Sequence, residues 1–311
     1  MLRGPPDRMR EPRPHPRSQN DPELKVAGRN ACRALFAARP SDIRRVYVTE
    51  ETLPHFKDVL KYCAQQRIAY HVTGKDDLTQ ITDSVHHDGV CFIAREKPPI
   101  DGQDVLRWAQ ALPRNVPGRV VLLEDVKNPH NVGAILRVCA HFGVPFCLAA
   151  GQTPALSQAT MRTAEGGAEH CALAAVGAGH EVLDELRALG FAVVATSSHA
   201  TLDLGKAPLP PRVVVLFGSE GEGLSRDLLA RADATVAIPG SGALESLNVA
   251  CASSVILWEL WRGTPASRDA VASTLTVAPR NQRPGPREKG PPFVTPRGRP
   301  HARGTKHKPR R

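Results

Sequence analysis

The chain has 311 residues, an apolar fraction of 41% and a formal net charge of +10, enough material for about two domains of ordinary size. No run of about 18 apolar residues is present, so no membrane helix is expected. The Arg- and Pro-rich start lacks the apolar stretch of a secretory signal, and Asp7, Glu11 and the early prolines argue against the amphipathic helix of an organelle transit peptide.

Seven cysteines, Cys32, Cys63, Cys91, Cys139, Cys147, Cys171 and Cys251, form no CxxC pair. An odd number at such spacings supports neither a disulfide framework nor a zinc site. Reduced, buried thiols in a cytoplasmic protein are the expectation. No His, Asp or Glu spacing suggests a metal.

The charge is unevenly placed. From Arg280 onward there are eleven Lys and Arg against one acid, Glu288, which equals the net charge of the whole chain. Residues 1–20 carry +3, so residues 21–279 sit at −3. Attraction to a polyanion is therefore concentrated at the ends.

In chain order, residues 1–20 lack periodicity and are expected to be a disordered basic segment. Residues 21–97 read as a small α/β unit. A helical stretch over 24–38 is followed by a strand over 45–48, a helix over 53–66, a strand over 68–72, a short helix over 77–81 and a strand over 90–94. Pro98, Pro99 and Gly102 mark a linker over 98–118, with a helix over 104–112 packed on the next domain. Residues 119–262 alternate strand and helix, which predicts an α/β domain with a mostly parallel sheet. Its strands are read at 120–123, 145–148, 192–196, 213–217 and 235–238, and its helices at 132–142, 180–189, 225–232 and 247–261. Residues 263–311 are expected to be a disordered basic tail rich in Pro and Gly.

Three junctions follow apolar strands of the second domain. They are Glu124 to Gly133, Phe217 to Ser225, and Ile238 to Val249. Open parallel sheets place ligands at the carboxyl ends of their strands. The first junction has one glycine and the second lacks the third glycine of GxGxxG. No GxxxxGK[ST] occurs, so dinucleotide and ATP phosphate sites are poorly supported. By pattern alone the domain binds a ligand at three loops. Ser246 is a candidate N-cap for the last helix.

These junctions resemble, in order and spacing, the three motifs of the SpoU/TrmH family of SPOUT RNA methyltransferases. The first is Asn131-x-Gly133-x-x-x-Arg137, the second Gly218-x-Glu220-Gly221-x-Gly223-Leu224, and the third Ile238-Pro239 followed by Ser246-Leu247-Asn248-Val249. Residues 21–97 resemble that family's L30e-like substrate-binding domain, with Val26-x-Gly28 near its start and His87-x-Gly89-Val90 near its end. The stretch Arg162 to Glu169 resembles a variant of the YfiF-like subgroup. Gly240 departs from the family, where methionine is common.

The resemblance implies a SPOUT domain with a trefoil knot, S-adenosyl-L-methionine as cofactor, and methylation of a ribose 2'-OH in ribosomal or transfer RNA. It further implies a homodimer with the site at the subunit interface, which the apolar helix over 247–261 fits. Carried over by motif, the cofactor sits against Gly218, Ile238 and Leu247, with Thr196 a weaker candidate. Arg137 is the expected catalytic group. It stays protonated, so its role is to hold a phosphate and stabilise developing charge. Asn131 orients the loop or the substrate, Glu220 pairs with Arg137 or holds loop N–H groups, and Ser246 and Asn248 complete the site. The alternatives are a factor for RNA binding or ribosome assembly that kept the fold without the catalysis, and methylation of a base.

Removing residues 280–311 is expected to weaken RNA binding and flatten its salt dependence while leaving cofactor affinity unchanged. Equal slopes of log affinity against log salt for the full and shortened chains would refute this.

Overall fold

The computed structural model describes residues 22–263. The readings for residues 1–20 and for the tail from residue 264 lie outside the described residues.

The first unit of secondary structure is a four-stranded sheet with three helices. It comprises β1 (Glu23–Ala27), α1 (Arg29–Ala38), β2 (Ile43–Val48), α2 (Lys57–Gln66), β3 (Ala69–Val72), α3 (Lys75–Thr82) and β4 (Val90–Arg95). The strand order is β1-β4-β2-β3. Strand β4 is antiparallel to β1 and β2, and β2 is parallel to β3. The helix expected over 24–38 is corrected here: residues 23–27 are a strand paired with β4, and the helix begins only at Arg29. Gly28 makes the break, because its φ of 98° is a conformation open to glycine and costly in a helix.

The rest forms an eight-stranded sheet, every pair in it parallel. Its elements are β5 (Ile100–Asp101), α4 (Gly102–Ala111), β6 (Gly118–Glu124), α5 (Pro129–His141), β7 (Phe146–Ala150), α6 (Gln158–Ala164), β8 (Ala172–Ala175), α7 (His180–Ala188), β9 (Ala192–Thr196), β10 (Leu202–Asp203), β11 (Arg212–Phe217), α8 (Arg226–Ala230), β12 (Ala234–Ala237) and α9 (Val249–Arg262). The order is β10-β12-β9-β11-β6-β7-β8-β5. Chain order reverses around β6 and β11, the arrangement that opens a crevice at the carboxyl ends of the strands.

Strand β6 shows why these apolar runs become central strands. Val121 and Leu123 face a core shared with α5 and α9, while Val120 and Leu122 face a second core with α4 and α7. A strand buried on both faces needs no polar alternation.

Four elements, β5, α6, β8 and β10, were not read in the sequence, whereas the helix expected over 104–112 does pack on the sheet domain. Residues Ala172–Ala175 form β8 between β7 and β5, although a run of alanines favours helix. Pairing on both edges overrides that propensity. Residues 100–111 are part of the sheet domain: Ile100 pairs opposite Ala174, and α4 packs Val105, Leu106 and Ala109 into the second core. Asp101 and Asp104 form the capping box that starts α4.

The two units share one apolar core, which runs from Val26, Leu35 and Phe92 to Val121 and Ile135. A buried ion network joins them. Arg39 Nε and Nη2 donate to the two oxygens of Glu169 at 2.9 and 3.0 Å, and Lys97 Nζ lies 2.8 Å from Oε2. The Glu169 side chain is 1% exposed. Burial pushes its carboxyl up, but hydrogen bonds from Arg39 and Lys97 outweigh this and hold it below the ordinary value.

Removing one partner of a buried ion pair leaves uncompensated charge. Glu169→Gln is therefore expected to lower the unfolding free energy by about 3 kcal/mol, read by urea denaturation. The folded value of Glu169 lies below the unfolded one. Its stabilisation is therefore present above the ordinary glutamate pKa and is lost as pH falls through the lowered value. The wild-type chain should lose stability over that acidic window faster than Glu169→Gln does.

Candidate functional site

The carboxyl ends of β6, β9, β11 and β12 form one edge of the sheet, and the three junctions leave from it. The first turns sharply: Asp125 has a φ of 54°, and its Oδ1 accepts from Gln152 N at 2.6 Å. Glu124 Oε2 accepts from Ser225 N at 2.7 Å, tying this loop to the start of α8. Asn128 then caps α5 by accepting from His130 N at 2.9 Å, with Pro129 in the first turn. Gly133 is needed for packing, since a Cβ there would lie 2.5 Å from the Thr160 carbonyl oxygen of α6.

The second junction is a pinched loop. Ser219 and Gly223 exchange two backbone hydrogen bonds of 3.1 Å. A Cβ on Gly218 would fall 2.1 Å from the Gly223 carbonyl carbon, so the closure requires glycine at 218. The pinch presents Glu220 at the loop tip.

The third junction delivers Asn248 as the N-cap of α9. Its Oδ1 accepts from Ala250 N at 2.9 Å and from Cys251 N at 3.4 Å. This corrects the capping role expected of Ser246, which is exposed. The helix begins at Val249, two residues too late for Ser246 to be its cap.

The three motifs meet at one point. Glu220 Oε1 accepts from Asn131 Nδ2 at 2.7 Å and from Asn248 Nδ2 at 3.0 Å, and Asn131 Oδ1 accepts from Asn248 Nδ2 at 3.2 Å. A carboxylate only accepts, so it turns both amide nitrogens towards itself. Asn131 is buried. Beside this triad is a cleft of about 340 Å³, lined by Asp125, Lys127, Asn128, Asn131, Ser219 and Glu220 among others.

Arg137 lies elsewhere. It is six residues beyond Asn131 on α5, about 9 Å along the axis, and its side chain is 57% exposed. Its partner is Glu165, with Nη1 to Oε1 at 3.0 Å, and not Glu220. The pairing of Glu220 with Arg137 is thus corrected within one chain: Glu220 holds the two asparagines instead.

The residues expected to face the cofactor are mixed in kind. Ile238 is half-buried against the core, whereas Leu247 is 51% exposed. Thr196 donates its hydroxyl to the Leu216 carbonyl at 2.8 Å, which pins β9 to β11 and leaves that hydrogen engaged. A Cβ built on Gly240 meets nothing within 4 Å, so the space around the β12 loop is open. Among the described residues, no group of three or more His, Cys, Asp and Glu is placed to hold a metal ion. Glu165, Asp125 and Lys127 were not singled out from the sequence as site residues. The last two lie within the first motif's loop, where their position was the available signal.

Residues 118–258 match the SpoU rRNA Methylase family, and residues 25–100 match the RNA 2'-O ribose methyltransferase substrate-binding family. The chain is 39% identical over 251 residues to the uncharacterized tRNA/rRNA methyltransferase YfiF of Escherichia coli O157:H7, covering 80% of this chain and 71% of that protein. It is 29% identical over 240 residues to the 23S rRNA (guanosine-2'-O-)-methyltransferase RlmB of Neisseria meningitidis serogroup B, covering 76% of this chain and 94% of that one. Among solved structures, the SpoU methyltransferase AviRb from Streptomyces viridochromogenes in complex with AdoMet matches with a TM-score of 0.64 at 22% identity, over 78% of this chain and 90% of that one. An RNA 2'-O ribose methyltransferase structure matches with a TM-score of 0.61 at 25% identity, over 77% and 88%. With three motifs joined at one carboxylate and both domains matched, the chain belongs to the SpoU/TrmH family of RNA methyltransferases.

Proposed function

We propose that this protein transfers a methyl group from S-adenosyl-L-methionine to a ribose 2'-OH in ribosomal or transfer RNA. The observation that carries the reading is the convergence of all three motifs on the Asn131–Glu220–Asn248 triad at the carboxyl edge of the sheet.

The residues present suit the cofactor. The open backbone around Gly240, the exposed Leu247 and the half-buried Ile238 are groups of the kind adenine requires, backbone donors and acceptors with apolar side chains. Gly218, Ile238 and Leu247 would hold it, with Thr196 contributing only through its backbone and methyl group. The bound cofactor supplies an electrophilic methyl on a sulfonium. The same loops are those the family ties into a trefoil knot, and we read them so here.

The chain's own residues have separate tasks. The triad sets the relative placement of the three loops. Arg137 keeps donors beyond the one facing Glu165, and a guanidinium binds phosphate through two parallel N–H groups. It orients the RNA and stabilises charge that develops as the 2'-OH attacks the methyl group and loses its proton. Ser246 is exposed, and its hydroxyl is assigned to the ribose by its place in the third motif.

Arg137 and the triad occupy different parts of one chain, so a complete site requires a second copy that brings its arginine to this triad. The exposed Val255 and Trp258 of α9, with Leu244 and Leu247, supply the apolar surface for such a homodimer. The six buried free thiols fit a cytoplasmic location. The 2'-O position is favoured over a base by Asn131, Arg137 and Asn248, and by the names of RlmB and of the substrate-binding family.

The test is methyl transfer to total RNA from a strain lacking the protein, with ribose methylation mapped by nucleotide. Arg137→Ala is expected to lower transfer by about 10²-fold or more, with calorimetric S-adenosylmethionine affinity unchanged. Absence of any heat of cofactor binding to the wild-type chain would favour an RNA-binding factor without catalysis. A second expectation separates the two jobs of Asn248. Asn248→Ser keeps a good helix cap and hence the thermal midpoint, whereas Asn248→Ala costs about 1 kcal/mol. Both variants lose the bond to Glu220 and should lose cofactor affinity.

A further inference from the structure

The segment after α6 runs between the two domains. Glu165 ends α6 with a φ of 44°, in the left-handed region where a side chain is strained and glycine is usual. Gly166 follows with a φ of 92°. A Cβ on Gly166 would lie 2.4 Å from the Ala34 Cβ and 3.2 Å from the Asn30 carbonyl oxygen of α1. A Cβ on Gly167 would lie 2.8 Å from the Arg137 Cα and 2.9 Å from the Leu136 carbonyl oxygen of α5. The two glycines thus let the backbone lie in a slot with the small domain's first helix on one side and the Arg137 helix on the other.

Glu165 joins both walls of that slot. Its Oε1 is 3.0 Å from Arg137 Nη1, and its Oε2 accepts from Asn30 Nδ2 at 2.8 Å. The strain of a left-handed glutamate outweighs what an exposed ion pair returns in stability. Glycine or asparagine would serve better if the position only ended a helix. The placement of the carboxylate is therefore explained by what it holds rather than by stability. Behind it, Glu169 of the same segment anchors Arg39 and Lys97 of the small domain.

We propose that Glu165 is a positioning residue for Arg137. It fixes one edge of the guanidinium and leaves the other donors for an RNA phosphate. Through Asn30 it makes the arginine's orientation depend on the seating of the substrate-binding domain. This rests on the reading of Arg137 as the group that engages RNA.

The experiment measures methyl transfer to total RNA from a strain lacking the protein, as kcat and as KM for RNA. Cofactor affinity by calorimetry and the thermal midpoint accompany it. Glu165→Ala and Glu165→Gln remove the same charge, but only Gln keeps hydrogen bonds to Arg137 and, after the Asn30 amide rotates, to Asn30. Glu165→Ala is expected to lower kcat about ten-fold or more, with cofactor affinity and midpoint unchanged. Glu165→Gln stays close to wild type. In an Arg137→Ala background, Glu165→Ala produces no further loss, as expected for two residues acting as one unit. Equal rates for Ala and Gln, a fall in midpoint that accounts for the loss, or losses that multiply with Arg137→Ala would each overturn the proposal. Loss with Arg137→Ala but none with Glu165→Ala defeats this proposal alone. An unaffected Arg137→Ala, or no transfer by the wild-type chain, defeats the reading of Arg137 and the proposal together.

Discussion

Three loops that leave the sheet from different strands are held by a single carboxylate. Glu220 receives an amide hydrogen from Asn131, at the start of α5, and another from Asn248, at the start of α9. Each asparagine is placed by its own helix terminus. Asn131 follows the capped turn at Asn128, and Asn248 is itself the cap. The rigid ends of two helices therefore fix a carboxylate that sits on an otherwise exposed loop. Polar groups in such a cluster are costly to leave unpaired and mutually strengthening when paired. The geometry of the cleft beside them follows from that closure.

The relation between the domains depends on the same kind of exchange, in a drier setting. Glu169 is almost fully enclosed, and burial alone would disfavour its charge. The forked guanidinium of Arg39 and the ammonium of Lys97 reverse that preference. Such a network gives little net stability beyond what apolar residues of equal volume would provide. It does specify one seating, because any shift leaves buried charge unpaired. The continuous apolar core beneath it supplies the adhesion, and the ions supply the register. The segment from Glu165 to Glu169 thus contacts the small domain at both ends and the Arg137 helix at Glu165 and Gly167.

The strands at 192–196 and 213–217 were legible because short continuous apolar runs rich in valine fit strands buried on both faces. The helix starting near Arg29 was legible in its apolar spacing, but its first residues were not. Gly28 in the middle of the run was the signal that a strand had ended. Residues Ala172–Ala175 carried no strand signal, because alanine's preference is local and the pairing that overrides it is not. Ser246 was a reasonable cap by residue type, and Asn248 two positions later was an equally good one. Only the position of the first helical turn decides between them.

Taken alone, the sequence determined the residue types and their order. Three polar-and-glycine junctions after apolar strands announced a ligand edge, and the motifs at Asn131, Glu220 and Asn248 named its family. Charge counts also located the basic excess at the two ends of the chain. Tertiary structure decided who pairs with whom. Glu220 and Arg137 are oppositely charged motif residues, and nothing in their spacing forbids a bond between them. The direction of α5 does, since it carries Arg137 away from the triad and towards Glu165. Pairing across 28 to 117 residues is set by where helices point after the sheet has formed, and that is a property of packing rather than of local pattern.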